Sequence, residues 1–269
     1  VSFALVNLEF ETLFTERIRL VFEDTDEYFT VIANEIEKIL SAYNIPEAKF
    51  TGVGISMPVI FNSDQKTIFY AAVIDVNDST YDRICRCIPY KCMLLNDADS
   101  AGIAERRVSN EDFDMIYISL SNSVGGSTII NQFAITGNNN KASEFGHLCI
   151  VPHGKRCYCG REGCLDAYCS ASNLSDFTDG NLDNFFRELK SGTNKGLEKL
   201  FDDYLTYLAY AVINLRTCYD CTVVIGGYVG AYMEDYMDIL REKVMKMSVF
   251  DTDGEFIQPC HYSIEASAV

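Results

Sequence analysis

The sequence has no tryptophan, only three histidines and only five prolines in 269 residues. Basic residues are also scarce. Lys and Arg number 22 against 39 Asp and Glu, a formal charge of −17. That balance argues against direct grip on nucleic acid by this segment, because phosphate backbones are neutralised by Lys and Arg. No apolar run reaches the length of a membrane-crossing helix, and no secretory leader opens the chain. No membrane partner is therefore expected, and the cytoplasm is the simplest compartment. Internal repeats, low-complexity tracts and flexible linkers are missing too. Without a secretory signal, the eleven cysteines read as reduced thiols and metal ligands, not as a disulfide framework. What is abundant is apolar side chain, 48% of residues, enough for a sizeable core in one large domain or two ordinary ones.

Periodicity orders the chain as strand–helix alternation, which means an α/β fold. Val1 to Leu8 and Leu13 to Phe22 read as strands around a turn at Glu9 to Thr12. Asp26 to Tyr43 carries Phe29, Ile32, Ala33, Ile36, Ile39 and Leu40 at helical spacing, and Asn44 and Pro46 end it. Phe50 to Met57 and Lys91 to Leu95 are further strands, with a short helix at Thr80 to Ile88. Asn96-Asp97 opens a helix that runs to about Arg107. Phe113 to Ser121 and Gly125 to Asn131 form a hairpin pair. A long helix over Lys195 to Arg216, a strand at Thr222 to Ile225 and a last helix at Ala231 to Met247 follow. Because a fresh hairpin begins near Asp112, two domains are expected, residues 1–111 and 112–269.

One stretch, Glu144 to Ser170, concentrates metal-binding chemistry. His147, Cys157, Cys159 and Cys164 lie within eighteen residues, interleaved with Gly154, Gly160 and Gly163. Three thiolates and an imidazole are a common tetrahedral zinc set, and four protein ligands make a closed structural site. Glycines let a short loop bend back so that the sulfurs face one point. The spacing therefore predicts a Zn2+ loop over 147–164 held by those four residues. Cys149 and Cys169 read as packing cysteines.

The same stretch resembles the signature of the ROK family (repressors, open reading frames and sugar kinases). That signature reads E-x-G-H and then G-x-x-C-x-C-G-x-x-G-C-x-E. Here Glu144-Phe145-Gly146-His147 and Gly154 to Asp166 keep the spacing, with Asp166 in place of the final Glu. The resemblance implies an actin-like (ribonuclease H-like) fold of two α/β domains clasping a sugar. It also implies that Glu144, His147 and Asp166 contact sugar hydroxyls, His147 binding zinc through its other ring nitrogen. Asn96-Asp97 matches the family's N-D-A-N motif, which adds both residues to the sugar site. In the family's kinases this Asp is the general base, a role a carboxylate suits because it can accept the hydroxyl proton. An N-cap is the other reading of an Asn or Asp before a helix. Asp99 departs from the motif's second Asn and reads as a cap only.

The nucleotide motifs are weaker. Leu120 to Thr128 stands where the family has L-G-T-G-I-G-G-G, and Gly125 and Gly126 survive while Ser121, Asn122, Ser123 and Ser127 replace other residues. Side chains obstruct the close backbone approach that such a phosphate loop needs. Ile225-Gly226-Gly227-Tyr228 resembles the adenosine motif I-G-G-G except at Tyr228. The family's D-x-G-G-T phosphate strand occurs nowhere in the sequence, which reads as a domain excerpt. These losses weigh against an enzyme. The expected function is the sugar-binding effector domain of a ROK-type transcriptional regulator, a homodimer that meets DNA only through a domain outside this chain. Its ligand would be a monosaccharide or sugar phosphate. The alternative is an ATP-dependent sugar kinase of glucokinase or fructokinase type, using ATP and Mg2+ with Asp97 as base. Gly125, Gly126, Gly226 and Gly227 would then be the remaining nucleotide contacts.

Overall fold

The computed structural model describes residues 1–269 except positions 10, 63, 65, 110–112, 263–265 and 269. The chain opens on an antiparallel hairpin of β1 (Ser2–Val6) and β2 (Thr12–Arg17). The second strand is shorter than the expected Leu13 to Phe22 because its partner runs out. Val1 and Ile18 exchange the last two backbone bonds of the ladder. Phe10, in the expected turn, and Asp112, at the expected domain boundary, lie outside the described residues.

Thr25 caps α1 (Asp26–Ala42), its hydroxyl accepting from the Tyr28 N–H. Phe29, Ala33, Ile36 and Leu40 form the buried stripe that their spacing predicts. The helix faces β3 (Val53–Met57), the hairpin β4 (Val59–Phe61) and β5 (Ile68–Ala71), α2 (Thr80–Cys87) and β6 (Cys92–Asn96). β3 and β6 pair in parallel, and β4 and β5 antiparallel. These elements enclose one apolar core that includes Phe29, Phe61, Ile84 and Leu94.

β6 runs directly into α3 (Asp97–Val108), which crosses to a second sheet. That sheet contains β7 (Met115–Leu120), β8 (Val124–Ile130), β9 (Phe133–Ala134), β10 (Thr222–Gly226) and β11 (Ile257–Pro259), in the order β11-β10-β7-β8-β9. β7, β10 and β11 are mutually parallel, while β8 and β9 run antiparallel to their neighbours. α3 sits close on β7 and β8 because it presents small residues. A Cβ at Gly102 would stand 2.7 Å from the Ser127 Cβ.

On the other face lie α4 (Asp166–Cys169), α5 (Ser172–Ser175), α6 (Leu182–Ser191) and the 25-residue α7 (Lys195–Tyr219). α7 buries Leu197, Phe201, Tyr204, Leu205, Leu208, Val212 and Leu215 against the sheet and its neighbours. Each fully buried Leu or Phe side chain contributes about 1.5–3 kcal/mol. The expected last helix is divided. After α8 (Gly227–Gly230), a tighter turn at Met233–Tyr236 precedes α9 (Met237–Met245). Phe186 stacks on Tyr232 and packs against Tyr236, so ring contacts shape that turn. All eleven cysteines are free thiols. Among the described residues, no helix is long and apolar enough to cross a membrane.

Candidate functional site

The β6–α3 junction assigns separate jobs to Asn96 and Asp97. Asn96 is the cap: its Oδ1 accepts from the N–H groups of Ala98 at 2.9 Å and Asp99 at 3.1 Å. Its Nδ2 donates to the Val59 carbonyl at 3.0 Å, tying the junction to β4. Asp97 is the first helical residue, and one of its oxygens accepts from the Ala98 N–H at 2.9 Å. Burial raises the Asp97 carboxyl above its ordinary range; hydrogen bonds from the Ala98 and Asp97 N–H groups oppose this, and nearby Asp99 adds to it. The cap reading of Asp99 is corrected. Asn96 already fills the cap, and Asp99 accepts from the Ser127 hydroxyl at 2.8 Å, joining α3 to β8. A cavity of about 90 Å³ opens beside the junction, lined in part by Ile60, Phe61, Asn96, Asp99 and Glu144.

Glu144 reaches this cavity from a strap formed by residues 136–144. Asn140 Nδ2 anchors the strap to the first core by donating to the carbonyls of Phe61 at 3.2 Å and Asn62 at 3.0 Å. Lys141 lies over the Phe69 ring, 3.5 Å from its centroid. Glu144 is exposed at the cavity mouth. Surrounding protein, then Asp97 and Asp99, nevertheless raise its carboxyl above the usual range. A tight turn follows at Phe145–His147. Phe145 packs over Gly126, where any Cβ would collide with the ring.

The loop after this turn gathers all four expected ligands. The donor atoms of His147, Cys157, Cys159 and Cys164 lie within 4.8 Å of one another. Cys159 Sγ and Cys164 Sγ are 3.8 Å apart, and Cys157 Sγ is 3.9 Å from His147 Nδ1. A tetrahedral zinc with Zn–S bonds near 2.3 Å places sulfurs about 3.8 Å apart, so the donor set and its spacing fit that ion. The loop closes this tightly because Gly163 adopts φ +78°, and a Cβ there would strike the Val151 carbonyl. Burial lowers the His147 imidazole pKa, against an opposing pull from Asp166, which favours the neutral form a metal needs. The other ring nitrogen, Nε2, lies 3.5 Å from the Tyr158 hydroxyl. Tyr158 escaped the sequence reading; its only signal was its place between two of the expected ligand cysteines. Asp166 is buried at 5% exposure, and its Oδ2 accepts from the Val124 N–H at 2.8 Å. Burial raises this carboxyl, and that hydrogen bond opposes the shift.

The four glycines of the nucleotide motifs have packing reasons of their own. Gly125 and Gly126 lie inside β8, one against Ala98 of α3 and the other beneath Phe145. The β7–β8 turn itself is Ser121 to Ser123. Gly226 ends β10 with the buried Tyr117 hydroxyl in the space a side chain would need. The Gly227 N–H donates to that hydroxyl at 3.1 Å, and the Tyr228 N–H donates to Ser121 Oγ at 3.4 Å. Both donors are thus engaged within the protein.

A family model described as "ROK family" matches residues 1–267. The N-acetylmannosamine kinase of Escherichia fergusonii is 32% identical over 156 residues, 55% of this chain and 53% of that protein. The chain thus spans about half the length of the curated relatives it matches. A ROK hexokinase from Thermus thermophilus superposes with a TM-score of 0.78 at 20% identity, covering 96% of this chain and 88% of that one. A ROK family transcriptional regulator, a homolog of the E. coli MLC protein, gives 0.77 at 19% identity over 99% and 74% of the two chains. These superpositions establish the fold as the actin-like α/β architecture. The expectation that weighed against an enzyme finds no support here, since the curated relatives carry kinase names. The signature around the thiols, the fold and the match along nearly the whole length agree: the chain belongs to the ROK family.

Proposed function

We propose that this chain forms the body of an ATP-dependent sugar kinase, with N-acetylmannosamine the first substrate to test. The observation that carries the reading is the β6–α3 junction. Asn96 takes over the cap and lines the cavity, which leaves Asp97, the next residue, with a carboxylate not spent on capping and a basicity raised by burial. Asn96 and Asp97 hold the reacting hydroxyl, and Glu144 and His147 orient the ring between two lobes that divide near Asp112. As the sugar oxygen bonds to the γ-phosphorus, the bond to the β-phosphate oxygen breaks, ADP leaves, and Asp97 accepts the hydroxyl proton. ATP with Mg2+ is the co-substrate. His147, Cys157, Cys159 and Cys164 hold a structural Zn2+, which fixes the loop and the ring of His147. Gly125, Gly126, Gly226 and Gly227 line the approach of the nucleotide.

One observation favours a second reading. Tyr117 and Ser121 occupy two N–H donors of the glycine motif, which weakens the cradle on which phosphoryl transfer depends. This supports a sugar-sensing effector domain of a regulator, a homodimer whose DNA-binding part lies outside this chain. The test uses full-length protein, coupled ADP detection and calorimetry. Sugar-dependent ADP production that disappears in Asp97→Asn upholds the kinase. Sugar binding with no ATP turnover replaces it with the sensor.

A further inference from the structure

The family resemblance assigns the last acid of the cysteine signature to the sugar, but this chain carries Asp166 there, one methylene shorter than the family's Glu. The shorter side chain has found another partner. Its Oδ2 accepts from the Val124 N–H at 2.8 Å, in a buried position. Val124 is the first residue of β8, immediately after the Ser121–Ser123 turn. The other side of that turn is held by the same segment, because the Ala171 N–H donates to the Ser121 carbonyl at 2.8 Å. Val124 is also pressed from a third side, since Gly146 leaves no room for a Cβ beside the Val124 carbonyl. The segment from Asp166 to Ala171 therefore grips both ends of the turn that the resemblance assigns to phosphate.

We infer that Asp166 is a positioning residue that holds the β7–β8 turn in register with the cysteine loop, and not a sugar ligand. Nucleotide handling depends on it more than sugar handling does. A bond from a backbone N–H to a buried carboxylate is stronger than a neutral one, and it is the restraint that fixes the Val124 end of the turn. The inference rests on the kinase reading for its kinetic consequence, but the contact itself can be measured without turnover.

The experiment compares Asp166→Ala, Asp166→Asn and Asp166→Glu in full-length protein. It reads KM for ATP, affinity for N-acetylmannosamine by calorimetry, and hydrogen exchange at the Val124 amide. In Asp166→Ala, KM for ATP should rise about tenfold and Val124 exchange should accelerate, while sugar affinity moves less than about threefold. Asp166→Asn keeps an acceptor oxygen and should recover most of both losses. Asp166→Glu keeps the charge but overshoots the amide and should not. Loss of sugar affinity in both Ala and Asn variants, with Val124 protection intact, would make Asp166 a sugar contact and overturn the inference. An ATP KM unchanged in Asp166→Ala would also overturn it. Where Asp166→Ala does not fold, the order of Asn and Glu decides, and Glu outperforming Asn refutes the proposal. A wild-type protein that binds sugar without turnover would defeat the kinase reading alone. The Val124 exchange series then supports or overturns the clamp unaided.

Discussion

Glu105 offers a direct test of how α3 is held. It lies in the last turns of the helix whose first residues are Asn96-capped Asp97, and its side chain is only 5% exposed. Its two oxygens accept from consecutive backbone N–H groups, Tyr262 and His261, each at 2.8 Å. Burial raises the Glu105 carboxyl, and those two hydrogen bonds pull it back. In Glu105→Ala two charge-assisted bonds and one buried methylene disappear. At about 1.5 kcal/mol per bond and about 0.8 kcal/mol for the methylene, the gross loss is about 4 kcal/mol. Relief of carboxylate desolvation and hydration of the freed N–H groups offset about half, leaving about 2 kcal/mol. For a chain of this size that lowers Tm by about 4–8 °C. Glu105→Gln retains one acceptor and should lose about half as much. Because the folded carboxyl is raised above its unfolded value, its contribution is complete below the ordinary Glu value and is lost as pH rises through the raised one. The advantage of wild type over Glu105→Gln should therefore be smaller at a pH well above the ordinary Glu value than at one near it. Differential scanning calorimetry at both pH values measures all of this. An Ala variant melting within 1 °C of wild type, or a Gln variant melting below the Ala variant, would refute the reasoning.

Four further outcomes are expected. Cys159→Ser should release the metal and lower sugar affinity about tenfold through the loosened His147, although Cys159 touches no sugar; elemental analysis that finds no zinc in the unmodified protein ends that argument. Asp97→Asn should cut turnover at least about 100-fold while raising Tm, because it removes a carboxylate whose ionisation burial opposes. The pH profile of kcat/KM should fall on the acid side at a value above that of an ordinary Asp, and a limb at the ordinary value or lower would remove Asp97 from the base role. Gly126→Ala should cost about 1–3 kcal/mol by displacing Phe145, with weaker sugar binding as Glu144 and His147 shift; chemical denaturation with an unchanged midpoint would contradict it.

The features written in short, regular patterns were legible in the sequence. The stripe of Phe29, Ala33, Ile36 and Leu40 gave α1 almost to the residue, and the spacing of the cysteines brought four ligands to one point. What escaped was set by distant partners. β4, β5 and β11 are three or four residues long, too short for a period to show, and β11 carries Pro259 at the sheet edge. Met233, Met237, Leu240 and Val244 do keep helical spacing, yet rings from α6 divide that stretch in two. Asp99 looked like a cap because its partner, Ser127, is remote in sequence. The resemblance assigns Asp166 to the sugar, and nothing local in the sequence reveals its bond from the Val124 amide.

The strap that carries Glu144 has a mechanical consequence. Asn140 and Lys141 fasten it to the β4–β5 hairpin, while the residues just after Glu144 belong to the cysteine loop. Glu144 is therefore suspended between two anchors, and any hinge motion of one relative to the other swings the acid toward or away from Asp97. On the kinase reading, closure on a sugar and placement of the acid would be a single stroke, with no separate step to align them. The absence of tryptophan makes that stroke observable. Phe69, half-exposed at 51% beneath Lys141, could be replaced by a lone indole whose emission tracks the anchor against a dark background as sugar enters.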